Sequence, residues 1–70
     1  MLTPSQQNVV ELVAIGRSNK QIGAQLGLSE STVKWHVSNL LRMFDVSNRA
    51  ALVSAARDAG FIRSTQITLS

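Results

Sequence analysis

The stretch SESTVKWHVSNLLRMF, residues 29 to 44, contains the side chains of this sequence best suited to contacting another molecule. From Val33, its apolar residues recur at i, i+4, i+7, i+8 and i+11, the spacing of one buried helical face. The opposite face then carries Ser31, Lys34, Trp35, Ser38 and Arg42. Lysine and arginine can contact phosphate groups or guanine edges, and an indole can contact thymine methyl groups. The pattern indicates a recognition surface.

Chemistry that makes or breaks bonds has no support in this sequence. The predicted helices bring together no pair of carboxylates and no Ser/His/Asp set. The sequence also has no glycine-rich phosphate loop. Cysteine is absent, which excludes a disulfide framework and thiolate metal ligands. His36 is the single histidine, so we interpret it as a half-buried structural residue rather than a metal ligand. We expect no enzyme, no metal site and no cofactor.

The length and charge of the chain limit the remaining possibilities. Seventy residues make one small domain, whose core supplies about 3 to 5 kcal/mol. A net charge of +3 and a pI of about 10.8 modestly favour a nucleic-acid partner. No apolar run approaches the roughly 20 residues that span a bilayer, and the first residues lack the basic and hydrophobic regions of a secretion signal. We expect a cytoplasmic domain over residues 1–63, no membrane partner, and a tail over 64–70.

Capping residues and glycines indicate the helices that position the recognition surface. Thr3 and Ser18 are each followed three residues later by glutamine, which is the pattern of a capping box. Ser29 and Ser47 are suited to cap two further helices. Glycine, which commonly ends helices in a left-handed conformation, follows three of the four segments, at Gly16, Gly27 and Gly60. The sequence therefore predicts an all-α domain of four helices, near residues 4–15, 19–26, 30–44 and 48–59.

The other predicted helices also have apolar faces that can form a core. The second helix contributes Ile22 and Leu26, four residues apart. The first helix contributes Val9, Val10, Leu12, Val13 and Ile15. The fourth contributes small apolar residues together with one leucine, namely Leu52, Val53, Ala55, Ala56 and Ala59.

The joint between the second and third helices is the most informative feature of the predicted fold. A two-turn helix meets a longer one through a short turn that contains Gly27, which is the helix-turn-helix arrangement. In that arrangement the second helix of the pair, here the third helix of the chain, enters the DNA major groove. The groove is about 12 Å wide, which is enough for a helix. We expect Lys34, Trp35 and Ser38 to read base edges. A protein partner that takes up the Trp35 ring is an alternative.

Residues at the starts of two helices are candidates for phosphate contacts. Ser18, Asn19 and Lys20 open the second helix, whose N-terminal amides and positive dipole end suit a phosphate oxygen. Helix capping alone is the alternative for this group. Thr32 can donate its hydroxyl to a phosphate or only to its own helix.

The fourth helix raises two further questions. Arg49 could clamp the DNA backbone or form an ion pair with Glu30, and we favour the ion pair because a guanidinium suits a carboxylate. Val53, Ala56 and Arg57 could line the seam of a homodimer. Residues as small as these could equally serve close packing against the first helix.

Four fragments of the sequence together carry a resemblance to a known family, namely LTPSQ at 2–6, SNKQI at 18–22, LSESTVKWHV at 28–37 and VSNRA at 46–50. With them, the sequence resembles the DNA-binding domain of the LuxR (GerE-type) transcription regulators along nearly its whole length. The resemblance implies a four-helix, dimeric DNA-binding domain at the C-terminus of a longer regulator, with its variable readout positions at Lys34, Trp35 and Ser38. Two departures are Gly23, where alanine is commoner, and Met43 with Asp45 in place of a more basic stretch.

A different DNA-binding class shares the helix-turn-helix. Region 4 of sigma factors is similar in this respect but also docks on RNA polymerase, so RNA polymerase is a further candidate partner. Our prediction is sequence-specific binding of double-stranded DNA by a bacterial transcription regulator.

Gly23 is expected to loosen the second helix by about 1 kcal/mol relative to alanine.

Overall fold

The fold is known from a computed structural model that describes residues 1–62. This part of the chain is all-helical and contains no strand, so the predicted fold class is confirmed. The predicted tail over 64–70, and residue 63 before it, lie outside the described residues. The helices agree with the predicted ones to within one residue at each end: α1 is Pro4–Ala14, α2 is Asn19–Leu26, α3 is Glu30–Met43 and α4 is Arg49–Asp58.

The first two helices begin with the predicted capping boxes. Thr3 Oγ1 accepts a hydrogen bond from the Gln6 backbone at 3.1 Å, and the Gln6 side chain accepts one from the Thr3 backbone at 2.9 Å. Ser18 and Gln21 make the same pair of bonds, at 3.1 and 2.8 Å. Each box satisfies two backbone donors that have no partner within the helix.

Of the caps predicted for the last two helices, one is confirmed and the other is wrong. Ser29 Oγ accepts from the Thr32 backbone at 3.1 Å, which confirms the predicted start of α3. The predicted cap of α4 at Ser47 is wrong, because Asn48 caps this helix and its Oδ1 accepts from the Ala51 backbone at 2.8 Å. Serine and asparagine are comparably good caps, so two adjacent candidates left the start of α4 uncertain by one residue.

Helices α1 and α3 form the centre of the domain. Each of them contacts all three other helices, whereas no Cα atom of α2 lies within 8 Å of one in α4. Ile15, predicted to belong to the apolar face of α1, is instead 55% exposed because it follows the last helical residue. The buried core consists of Val9, Val10, Leu12, Val13, Ile22, Val33, Val37, Leu40, Leu52 and Ala56.

The C-terminal end of the described chain folds back onto the core. Phe61 and Phe44 pack edge to face with their ring centroids 5.7 Å apart, a favoured geometry for aromatic pairs. Gln7 of α1 donates a hydrogen bond to the Phe61 carbonyl at 2.7 Å. None of the helices in residues 1–62 is both long and apolar enough to cross a membrane.

Gly23 allows a close approach between α2 and the turn that follows it. The Leu28 amide donates to the Gly23 carbonyl at 2.8 Å, and a Cβ atom added at Gly23 would lie 2.5 Å from the Leu28 carbonyl oxygen. The expected loosening of α2 stays a prediction, and Gly23 has a second role in the turn that the sequence did not indicate. The missing side chain permits the contact that closes the turn.

The burial of Val37 generates a first prediction. This side chain is 7% exposed, so Val37→Asp places a charge in the core without a partner and costs about 3 kcal/mol or more. A loss of that size approaches the total stability of a small domain, and we expect no cooperative melt by circular dichroism. The control is Ser38→Asp at the adjacent exposed position, which should melt like the parent. A parental melt for Val37→Asp would mean that α3 faces the other way.

The close approach at Gly23 generates a second prediction. Gly23→Ala gains about 1 kcal/mol of helix propensity but forces the Leu28 backbone to move, at about 1 to 3 kcal/mol. We expect a net loss of about 1 kcal/mol in the free energy of unfolding, measured in urea. Ala24→Gly, at the exposed neighbouring position, isolates propensity and should also lose about 1 kcal/mol. A stabilised Gly23→Ala variant would show that the turn moves without cost.

Candidate nucleic-acid interface

The joint between α2 and α3 is a tight turn of three residues, 27 to 29. Gly27 adopts a left-handed conformation, with φ of 71°, which ends α2 as predicted. Ser29 then caps α3, and α3 packs against both α1 and α2. The two helices thus form the predicted helix-turn-helix unit, with α3 as its second helix.

The outer face of α3 carries the predicted contact residues. Val33, Val37 and Leu40 are buried beneath it. Because successive helical residues are rotated by about 100°, this burial places the other side of α3 toward solvent. Trp35 is 62% exposed, so its predicted outward orientation is confirmed. The whole predicted set on this face is exposed, namely Ser31, Lys34, Trp35, Ser38 and Arg42.

Two aromatic rings lie next to each other at the centre of this face. The indole of Trp35 and the imidazole of His36 meet edge to face with their centroids 5.2 Å apart. His36 is half-buried, as predicted. Its Nδ1 atom is buried and has no hydrogen-bond partner among residues 1–62. His36 therefore provides a packed support for one side of an otherwise exposed indole.

Thr32 lies at the edge of the same face and takes part in the cap of α3. The Ser29 hydroxyl donates to Thr32 Oγ1 at 2.9 Å, and the Thr32 amide donates to Ser29 Oγ. A hydroxyl group has one proton to donate as well as lone pairs that accept. The local bonds therefore use Thr32 Oγ1 as an acceptor and leave its proton for a partner such as a phosphate oxygen.

The N-terminal ends of three helices meet around a shallow cleft of about 450 Å³. Asn19 is the first residue of α2, Glu30 of α3 and Arg49 of α4. The partial positive charge of a helix dipole lies at this end of each helix. The sequence did not indicate that Arg17, an exposed cation, lines this cleft, because Arg17 belongs to no periodic pattern. The cleft is lined by Val13, Gly16, Arg17, Ser18, Asn19, Lys20, Glu30 and Arg49.

Arg49 does not make its predicted ion pair. Its Nη1 donates to Asn19 Oδ1 at 2.6 Å and its Nη2 donates to the Arg17 carbonyl at 2.8 Å. The favoured pairing with Glu30 is therefore wrong, although both residues line the cleft. The two acceptors lie on either side of Ser18 along the chain and 30 or more residues before Arg49. Charge complementarity alone could not have identified them.

The three residues of α4 that were predicted to line a dimer seam divide into two groups. Ala56 is fully buried and lies one turn after the buried residue Leu52, in the core of the domain. It presents no surface to a partner, and the alternative role in close packing applies to it. Val53 and Arg57 are half-buried, so part of each residue remains exposed on the surface of the domain.

Comparisons with known proteins agree with this fold. Residues 1–56 match the family of bacterial regulatory proteins described as the luxR family. The nitrate/nitrite response regulator protein homolog of Haemophilus influenzae is 52% identical over 50 residues, which are 71% of this chain and 24% of that protein. The two-component response regulator PprB of Pseudomonas aeruginosa is 45% identical over 58 residues, covering 83% of this chain and 21% of that protein.

A third relative carries a different description. The glycerol metabolism activator of Pseudomonas putida is 45% identical over 60 residues, which are 86% of this chain and 27% of that protein. This chain thus spans about a quarter of the length of the curated relatives it matches. The family match covers the helix-turn-helix and most of α4, and the chain therefore belongs to the luxR family of bacterial regulatory proteins.

Proposed function

We propose that this chain binds specific double-stranded DNA as part of a transcription regulator, with α3 in the major groove. The main support is the exposed face of α3, which carries Lys34 and Trp35 on a helix anchored by a buried opposite face. A helix of about 10 to 12 Å in diameter fits a major groove about 12 Å wide. Family membership adds independent support.

Base recognition is assigned to the centre of the exposed face. Lys34 can donate to guanine O6 or N7, and Ser38 can donate or accept at a base edge. Trp35 has no donor except its indole N–H, so it contributes apolar contact with thymine methyl groups. The edge-to-face contact with His36 limits the orientations that the indole adopts.

Phosphate contacts are assigned to the rim of this face and to the start of α2. Such contacts fix the register of the protein on the duplex without reading its sequence. The start of α2 supplies backbone amides, the positive end of a helix dipole and the exposed cation Lys20. The residues assigned this role are Ser18, Asn19, Lys20, Ser31, Thr32 and Arg42.

Dimer formation on DNA is the second part of the proposal. The half-buried residues Val53 and Arg57 lie four apart on α4 and share one side of it. Two copies joined through this side of α4 would read two half-sites separated by about one helical turn, or roughly 34 Å.

A protein-interaction module is the second candidate function. It is favoured by the exposure of Trp35, because tryptophan is a common anchor in protein interfaces. The two functions differ in their response to salt, since DNA binding releases counterions from phosphates. RNA polymerase is a protein partner that a DNA-bound regulator of this kind could also contact.

Salt dependence is the first prediction from this proposal. With Lys20 and Arg42 each neutralising one phosphate, the slope of log K against log salt concentration should be about −2 per domain. The protein first selects its preferred duplexes from a pool of random sequences. Fluorescence anisotropy with these duplexes, carrying a fluorescent label, then measures the slope. A slope near zero, or no enrichment of any sequence from the pool, would contradict DNA recognition.

Removal of the recognition side chains is the next prediction. Lys34→Ala and Trp35→Ala should each weaken binding to the selected duplex by about 1 to 3 kcal/mol. Both positions are exposed, so circular dichroism should show an unchanged melt. Asn8→Ala is the matched control, because Asn8 is an exposed residue of α1. Parental affinity in both α3 variants would remove this face as the reading surface.

A further inference from the structure

We propose that Arg49 is a positioning residue that holds the side chain of Asn19 ready to donate to a DNA phosphate. This inference rests on the proposed DNA-binding function and adds a role for α4 within it. Arg49 is the first residue of α4 and Asn19 is the first residue of α2. The guanidinium joins them through the 2.6 Å bond from Nη1 to Asn19 Oδ1.

The guanidinium spans a gap that the backbone does not close. Helices α2 and α4 both pack against α1, but no Cα atom of one lies within 8 Å of the other. The second bond of Arg49, from Nη2 to the Arg17 carbonyl at 2.8 Å, fixes the chain on the other side of Ser18. The planar fork of an arginine can make two such bonds at once, which a lysine cannot match. The start of α2 is therefore held at two points.

The chemistry of arginine determines which way the Asn19 amide points. Arginine has donors and no acceptor, so Asn19 must offer its carbonyl oxygen to Arg49. Its NH2 group, which only donates, then remains for another partner. Phosphate oxygens only accept, so this orientation suits a phosphate. The positive charge of Arg49 also polarises the amide and strengthens its N–H donors.

Two substitutions separate the positioning role from a general effect on folding. Arg49→Met removes both hydrogen bonds and keeps an unbranched apolar stem. Asn19→Asp keeps an acceptor for Arg49 and adds a favourable charge at a helix N-terminus, but it has no N–H to donate and repels phosphate. We therefore expect Asn19→Asp to unfold at a temperature equal to or above that of the parent, while its affinity for DNA falls at least about tenfold.

The experiment measures the affinity of the 70-residue chain for a fluorescein-labelled duplex of random sequence over a series of salt concentrations. Arg49→Met should bind about three- to tenfold more weakly, the effect of one lost hydrogen bond, with an unchanged salt slope. In an Asn19→Ala background, Arg49→Met should have a smaller effect than in the parent, because only the bond to the Arg17 carbonyl remains to be lost. Arg49→Lys keeps the positive charge and N–H donors but loses the planar fork that binds both acceptors at once, so its affinity should fall between those of the parent and Arg49→Met.

Three results would overturn the inference, and they are distinguishable. A salt slope reduced by about 0.9 in Arg49→Met, with the same loss in the Asn19→Ala background, would mean that Arg49 contacts a phosphate directly. Parental affinity in Asn19→Asp would mean that Asn19 does not contact phosphate, and this variant remains informative even if Arg49→Met fails to fold. Failure of the unmodified chain to bind any duplex would overturn the proposed function as well.

Discussion

The burial of one face of α3 is the constraint on which the rest of the domain depends. Val33 and Leu40 are fully buried and Val37 nearly so, and together they fix the rotation of the helix about its axis. With that rotation fixed, Trp35 lies about 200° from both Val33 and Val37 around the helix and cannot reach the core. The position of the indole in solvent is thus a consequence of aliphatic packing several ångströms away.

Short-range rules explain why most of the fold could be predicted. The capping bonds of Thr3, Ser18 and Ser29 each join residues three apart in the chain, so the sequence alone contains both partners. Left-handed glycines end α2 and follow α1 and α4 for an equally local reason. The end of α3 was less obvious, because Asp45 adopts φ of 56° there without being a glycine. Aspartate tolerates this conformation better than most residues.

Long-range contacts account for what the sequence could not predict. The partners of Arg49 lie 30 and 32 residues away, and opposite charge favoured Glu30 over a neutral amide and a backbone carbonyl. The role of Gly23 depends on how closely the turn returns to α2. The apolar spacing of Ala56 fits an internal face and a dimer seam equally well, and only its complete burial separates the two.

The arrangement of charge around the cleft links stability to the proposed function. Three helix N-termini and the cations Arg17, Lys20 and Arg49 surround it, and among residues 1–62 Glu30 is the only carboxylate in its lining. Like charges brought together in this way raise the free energy of the isolated domain. A phosphate backbone would relieve that repulsion on binding. The same concentration of positive charge that lowers stability in the free domain would then contribute to affinity. Arg49 would act in both the free and the DNA-bound domain, because its donors bind neutral acceptors.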